Sequence, residues 1–148
     1  MYSKILVPLD GSELAEQALV PAAELARRFG AELYLVRVFL PPVVSPAAWT
    51  SIDMTRIRAE EEKFLRTYLD ERKVEGIVCH RLLVEGEAAD ALMHTAKEQG
   101  IDLIVMTSHG RTGLNRWLFG SVAERVVRHS PCPVLTIGPD SLKREPSA

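Results

Sequence analysis

Cysteine is scarce in this chain: only Cys79 and Cys132 occur in 148 residues, far apart and in no metal-ligand spacing. That leaves no room for a disulfide framework or a thiolate metal centre, and it fits a reducing, cytoplasmic setting. Neither sign of charge dominates. A net charge of −2 gives no global basic field, so nucleic acid is not an expected partner. Long apolar runs are missing as well. None approaches the ~18 residues of a membrane span, so no membrane partner is expected. The first apolar run, Lys4 to Asp10, is too short for a signal peptide and ends in an acid.

Several signatures of catalysis and phosphate binding are also absent. The chain has neither Gly-x-x-x-x-Gly-Lys-Ser/Thr nor Gly-x-Gly-x-x-Gly. Ser108 beside His109 invites a hydrolase reading. A nucleophile elbow, however, needs glycine where Met106 stands, and no carboxylate falls in the order a triad requires. A receiver-type phosphoacceptor would need paired acids after the first strand and a lysine after the last. Asp10 is alone there, and Gly138-Pro139 follow the final run. Cys79, His80, His94 and Cys132 show no ligand spacing. No catalytic residue and no protein metal ligand is therefore assigned.

What is present is ordinary for a soluble globular domain: 47% hydrophobic and 26% charged residues, in a chain long enough for one core. Five apolar runs bounded by turn residues predict strands at Lys4–Leu9, Glu32–Phe39, Gly76–Val84, Asp102–Thr107 and Pro133–Ile137. Most are rich in Val, Ile and Leu with little alternation, the pattern of strands buried on both faces. Helical patterns lie between them. Ser12 is the expected N-cap of the first, whose stripe Ala15, Ala18, Leu19, Ala22, Ala26 and Phe29 stops at Gly30. Pro21 lies inside it and predicts a kink. The second, roughly 53–73, is charged at first and apolar at Phe64, Leu65, Tyr68 and Leu69. The third, Ala88–Gln99, buries Leu92 and Ala96 and ends at Gly100. The fourth, Ser121–His129, presents Val122, Val126 and Val127.

Alternating strands and helices predict an α/β fold: a parallel sheet covered on both faces, joined by right-handed crossovers. Ligands of such sheets bind beyond the carboxyl ends of the strands, where the strand order reverses. If the first and fourth strands are neighbours, Asp10 and the loop from Thr107 meet at one crevice. Residues 1–139 are expected to form the domain and 140–148 a flexible tail. Leu40–Ile52 is long for a simple connection and reads as a lid or a disordered stretch. Arg111–Phe119 is a second irregular stretch.

The richest chemistry follows the fourth strand. Thr107-Ser108-His109-Gly110, nine residues and then Gly120-Ser121 place small residues between a buried strand and a helix start. Backbone N–H groups converge in such loops, and the helix dipole adds partial positive charge, so an anion is the natural ligand. Gly110, Gly113 and Gly120 keep company with Ser108, Thr112 and Ser121, and Arg111 and Arg116 supply cationic donors. Gly120-Ser121-Val122-Ala123-Glu124 has two readings. In one, Ser121 and Glu124 form a capping box; in the other, the helix start receives a phosphate. Asp10 likewise reads either as an Asx-turn or as an acceptor for a base or sugar.

These motifs resemble the universal stress protein family. The likeness runs from Ile5-Leu6-Val7-Pro8-Leu9-Asp10-Gly11-Ser12 to Cys132-Pro133-Val134-Leu135-Thr136-Ile137, and is most specific from Ser108 to Val126. It implies a single-domain, doubly wound, Rossmann-like sheet of the adenine nucleotide alpha hydrolase-like type, with five parallel strands in the order 3-2-1-4-5. The family's ATP-binding pattern is Gly-x-x-Gly, nine residues, then Gly-Ser/Thr. Gly110, Gly120 and Ser121 match it, whereas Thr107 stands at the first glycine and offers a hydroxyl instead.

Carried over residue by residue, the resemblance implies adenine against Pro8, Leu9, Asp10 and the backbone of Val38. It implies ribose near Asp10, Thr107 and Gly110, and phosphates at Gly110, Arg111, Gly120, Ser121, Val122 and Ala123. Met106 and Ser108, on either side of Thr107, complete the set. The implied cofactor is ATP, or ADP or AMP, with Mg2+ or Mn2+ held mainly by phosphates and water. It also implies a homodimer through the last strand, Pro133–Ile137. Three functions follow from these readings: a nucleotide-binding stress-response switch or sensor, a non-nucleotide dimeric interaction protein, or a slow ATPase or phosphotransferase.

Overall fold

Five strands, β1 (Lys4–Pro8), β2 (Glu32–Phe39), β3 (Cys79–Glu85), β4 (Leu103–Thr107) and β5 (Val134–Ile137), pair in parallel in one sheet. Their order, β3-β2-β1-β4-β5, is the doubly wound arrangement that the family resemblance implies. The helices are α1 (Glu13–Glu16), α2 (Leu19–Phe29), α3 (Met54–Glu71), α4 (Ala88–Gln99) and α5 (Ser121–His129). The structure, a computed structural model, describes residues 1–40, 54–109, 119–139 and 141. The expectations for the lid or disordered stretch after Leu40 and for the tail apart from Ser141 lie outside the described residues.

The central strand shows why the sequence lacks alternation. Ile5, Leu6 and Val7 are all fully buried, and successive side chains feed opposite layers. Ile5 and Val7 join Ala18, Ala22 and Ala26 in one layer, with Leu69 of α3. Leu6 joins Ala89, Leu92 and Ala96 of α4 and Val126 of α5 in the other. The small alanine stripe of α2 lets that helix lie close to the sheet.

The first predicted helix is two. Gln17 and Ala18 interrupt it with tight bonds to Leu14 O and Ala15 O, both 3.2 Å. Pro21 has no N–H to give the Gln17 carbonyl, so α2 restarts at Leu19 with Pro21 in its first turn, where proline is tolerated. Strand β3 begins at Cys79 and not at Gly76, because Gly76 sits in a turn with φ +75°, outside the extended region. Three stripe residues also depart from expectation. Phe29 is partly exposed and edge-on to Tyr2, Phe64 is exposed beside buried Leu65, and Val127 is exposed beside buried Val126. A neighbour in sequence points about 100° away around a helix, so only one of each pair meets the sheet. No helix among the described residues is long and apolar enough to cross a membrane.

Candidate functional site

From β1 the chain winds outward through β2 and β3 on one side; β4 and β5 lie on the other. The exits of β1 and β4 therefore diverge and leave a crevice beyond their carboxyl ends. Backbone bonds carry each exit past its strand: Leu9 N donates to Val36 O at 2.8 Å, and Ser108 N to Ile137 O at 3.0 Å. A cleft of 260 Å³ opens there.

Pro8, Leu9 and Asp10 form one wall of the cleft, with Val38 of β2 beside them. Met106, Thr107 and Ser108 form the next, and Gly120, Ser121, Val122 and Ala123 close it. The structure thus brings together every expected site residue except Gly110 and Arg111, which lie outside the described residues. Sequence reasoning missed four apolar walls: Ala15, Val36, Ala88 and Leu92. Val36 was within reach, since it pairs with Pro8 in the β1–β2 register. Ala88 opens a helix at the carboxyl edge of the sheet, another signal that a parallel fold supplies.

Asp10 orders the first wall. Its Oδ1 accepts the Ser12 N–H at 2.9 Å and the Ser12 hydroxyl at 2.5 Å. Ser12 Oγ in turn accepts the Ala15 N–H at 3.1 Å, so Ser12 is the N-cap and Asp10 closes an Asx-turn. Arg37 supports the same segment from β2, donating from Nη1 to Leu9 O at 3.3 Å.

The hydroxyls on the β4 side are turned to the loop itself. Thr107, only 7% exposed, donates from Oγ1 to His109 O at 2.8 Å. Ser108 Oγ and His109 Nδ1 are 3.0 Å apart. His109 Nε2 is buried without a hydrogen-bond partner among the described residues.

The start of α5 overturns the capping box. Gly120 is the N-cap (φ −62°, ψ 154°), and among the described residues no side chain caps the helix. Ser121 is the first helical residue, and Glu124 pairs with Arg128 at 3.0 Å instead of reaching back. The α5 N-terminus therefore presents its dipole to the cleft without a side-chain acceptor among the described residues. The neighbouring helix differs. Glu87 caps α4, accepting the N–H groups of Ala89 at 3.4 Å and Asp90 at 3.1 Å. The Asp90 N–H foremost, then those of Ala89 and the Arg125 guanidinium, outweigh burial and hold the Glu87 carboxyl below the usual carboxylate range.

Fold and site together define a doubly wound α/β protein whose candidate ligand crevice lies at the switch point, walled by an uncapped helix start. The chain belongs to the universal stress protein family, whose model matches residues 1–138. Universal stress protein MJ0531 of Methanocaldococcus jannaschii is 36% identical over 141 residues, covering 93% of this chain and 82% of its own length. Among solved structures, protein MJ0577 of the same organism is 29% identical with a TM-score of 0.79, over 99% of each chain. A universal stress protein solved in complex with cAMP is 28% identical with a TM-score of 0.67, over 92% of this chain and 97% of its own.

Proposed function

We propose that this chain binds an adenine nucleotide in the β1/β4 crevice and works as a stress-response switch or sensor. The observation that carries the proposal is the uncapped N-terminus of α5. Gly120, Ser121, Val122 and Ala123 all line the cleft, yet among the described residues no side chain caps that helix end. The nearby hydroxyls of Thr107 and Ser108 are turned to His109. An anionic group is the ligand such an end accepts. The apolar walls, Leu9, Val36, Val38 and Leu92, suit a flat base, and the relative solved with cAMP supports the adenine class.

Among the described residues no group of three His, Cys, Asp or Glu side chains is placed to hold a metal ion. A Mg2+ or Mn2+ ion accompanying the nucleotide would take its ligands from phosphate oxygens and water. His109 shares its Nδ1 with Ser108, which favours a loop-ordering role over activation of water, so any hydrolysis is slow. We further propose a homodimer in which a second copy covers β5, the edge strand beside β4.

Calorimetry with ATP and magnesium tests the reading, with an expected dissociation constant in the micromolar range or better, about −8 kcal/mol. No heat and no thermal shift at millimolar ATP would overturn it. Mass spectrometry of small molecules released from freshly purified, denatured protein identifies the nucleotide.

A further inference from the structure

Arg125 lies one turn beyond Ser121 on α5, on the same side of the helix. Its guanidinium reaches the first turn of α4, donating from Nη1 to Glu87 Oε2 at 2.9 Å and from Nη2 to Asp90 Oδ1 at 2.7 Å. Glu87 is at the same time the α4 N-cap. Ala88 and Leu92 of α4 and Ser121 and Val122 of α5 line the cleft. One side chain therefore ties the start of α4 to α5 one turn beyond its start, and both helices wall the cleft. We infer that Arg125 is a positioning residue for the ligand: its two-pronged bridge sets the spacing of the α4 and α5 first turns and so aims the α5 amides at the phosphate. This rests on the nucleotide reading given above.

The chemistry of the fork supports it. Arginine presents two N–H edges in fixed geometry and holds two separate carboxylates at once, whereas lysine is a single flexible point charge. The three side chains are each about half exposed or more, so the pairs add little to global stability. Their consequence lies in local geometry, and salt weakens it.

Three proteins decide the matter: the native chain, Arg125→Ala and Arg125→Lys. Each is titrated with ATP and with adenosine, which lacks phosphate. Arg125→Ala is expected to weaken ATP about fivefold and to leave adenosine unchanged, with Arg125→Lys recovering part of the loss. Unaltered ATP affinity, or an equal loss for both ligands, would overturn the inference. Amide hydrogen exchange without ligand supplies a second measurement. Arg125→Ala should speed exchange at Ala89, Asp90 and Ser121–Ala123 and leave β1 and α2 as they were; unchanged exchange at the two helix starts overturns the bridge. If the native chain takes up neither ATP nor adenosine, the nucleotide reading fails, and the exchange result alone judges whether Arg125 sets the spacing.

Discussion

The backbone N–H of Gly120 donates to the carbonyl of Ser108 at 2.8 Å, tying the start of α5 to the exit of β4. The bond fixes where the helix begins and puts a residue with no side chain at its N-cap. A carboxylate placed there would cap the helix itself. Gly120→Asp is expected to raise stability by a few tenths of a kcal/mol, roughly the difference between Gly and Asp caps. It should also abolish ATP binding, because the new charge occupies the anion's place. Thermal unfolding with and without ATP reads both effects, and retained binding would remove the α5 start from the ligand site.

Thr107 is the departure from the family's glycine pattern, and its hydroxyl is engaged by His109 O. Thr107→Val keeps the shape and loses the bond. It should cost about 1 kcal/mol in denaturant unfolding while leaving ATP affinity nearly unchanged. Thr107→Gly separates two functions. Binding that appears only in this variant would mark the native chain as an interaction protein without nucleotide.

Asp102 pins the start of β1 to the start of β4. Burial works against its charge, but the Ser3 hydroxyl and the N–H groups of Ser3 and Lys4 outweigh it and hold the carboxyl below its usual range. A lowered carboxyl stabilises the fold above the ordinary pKa of ~4, and the effect is lost as pH falls through the folded value. Asp102→Asn should therefore cost about 1 kcal/mol at neutral pH. The gap to the native protein should close in unfolding curves taken at increasingly acidic pH.

Tyr68 joins α3 to α1, donating to Glu16 Oε1 at 2.8 Å, with Arg72 stacked 3.7 Å over its ring. Burial first, then Glu16, push the phenol up to about 12 against the opposing charges of Arg72 and Arg37. A raised phenol stabilises the fold below its ordinary pKa of ~10, and that contribution disappears as pH rises through about 12. Tyr68→Phe should lose the late step in an ultraviolet alkaline titration. It should also cost about 1.5–3 kcal/mol at neutral pH, the worth of a hydrogen bond to a charged group.

Leu135 is 39% exposed on β5. If a second copy covers that strand, Leu135→Asp converts dimer to monomer in light scattering. A native mass equal to one chain, or a variant that stays dimeric, would rule β5 out as the interface.

Much of this architecture is legible in the sequence because a doubly wound sheet writes itself as uninterrupted Val, Ile and Leu runs. Met106, Thr107, Gly120 and Ser121 could be placed on the cleft for a related reason: loops at strand exits keep their residues together in sequence. Ala15, Val36, Ala88 and Leu92 could not, since an apolar wall looks like any other core position until the layers are stacked. The Ser121 cap failed on a different ground. Ser and Glu at capping-box spacing satisfy a local rule, but the N-cap is Gly120, which a tertiary bond ties to Ser108, and Ser121 opens the helix, whose bounds are the expected ones. Pro21 predicts a kink within one helix; the structure has a break at Gln17 and Ala18 instead, with Pro21 in the first turn of α2.

Strands β1 and β4 are side by side in the sheet yet come from opposite halves of the chain, with Leu6 opposite Ile104. No fragment shorter than residues 10–121 carries both Asp10 and Ser121, so the crevice comes into being only when strands from both halves of the chain have paired. Uptake of the proposed nucleotide would thus report completed folding. On the proposed nucleotide reading, mass action by the ligand would also hold the two halves together, adding ~2.7 kcal/mol at a hundredfold excess over its dissociation constant. A chain cleaved between its halves would be expected to reassemble around nucleotide, with the small molecule as the template.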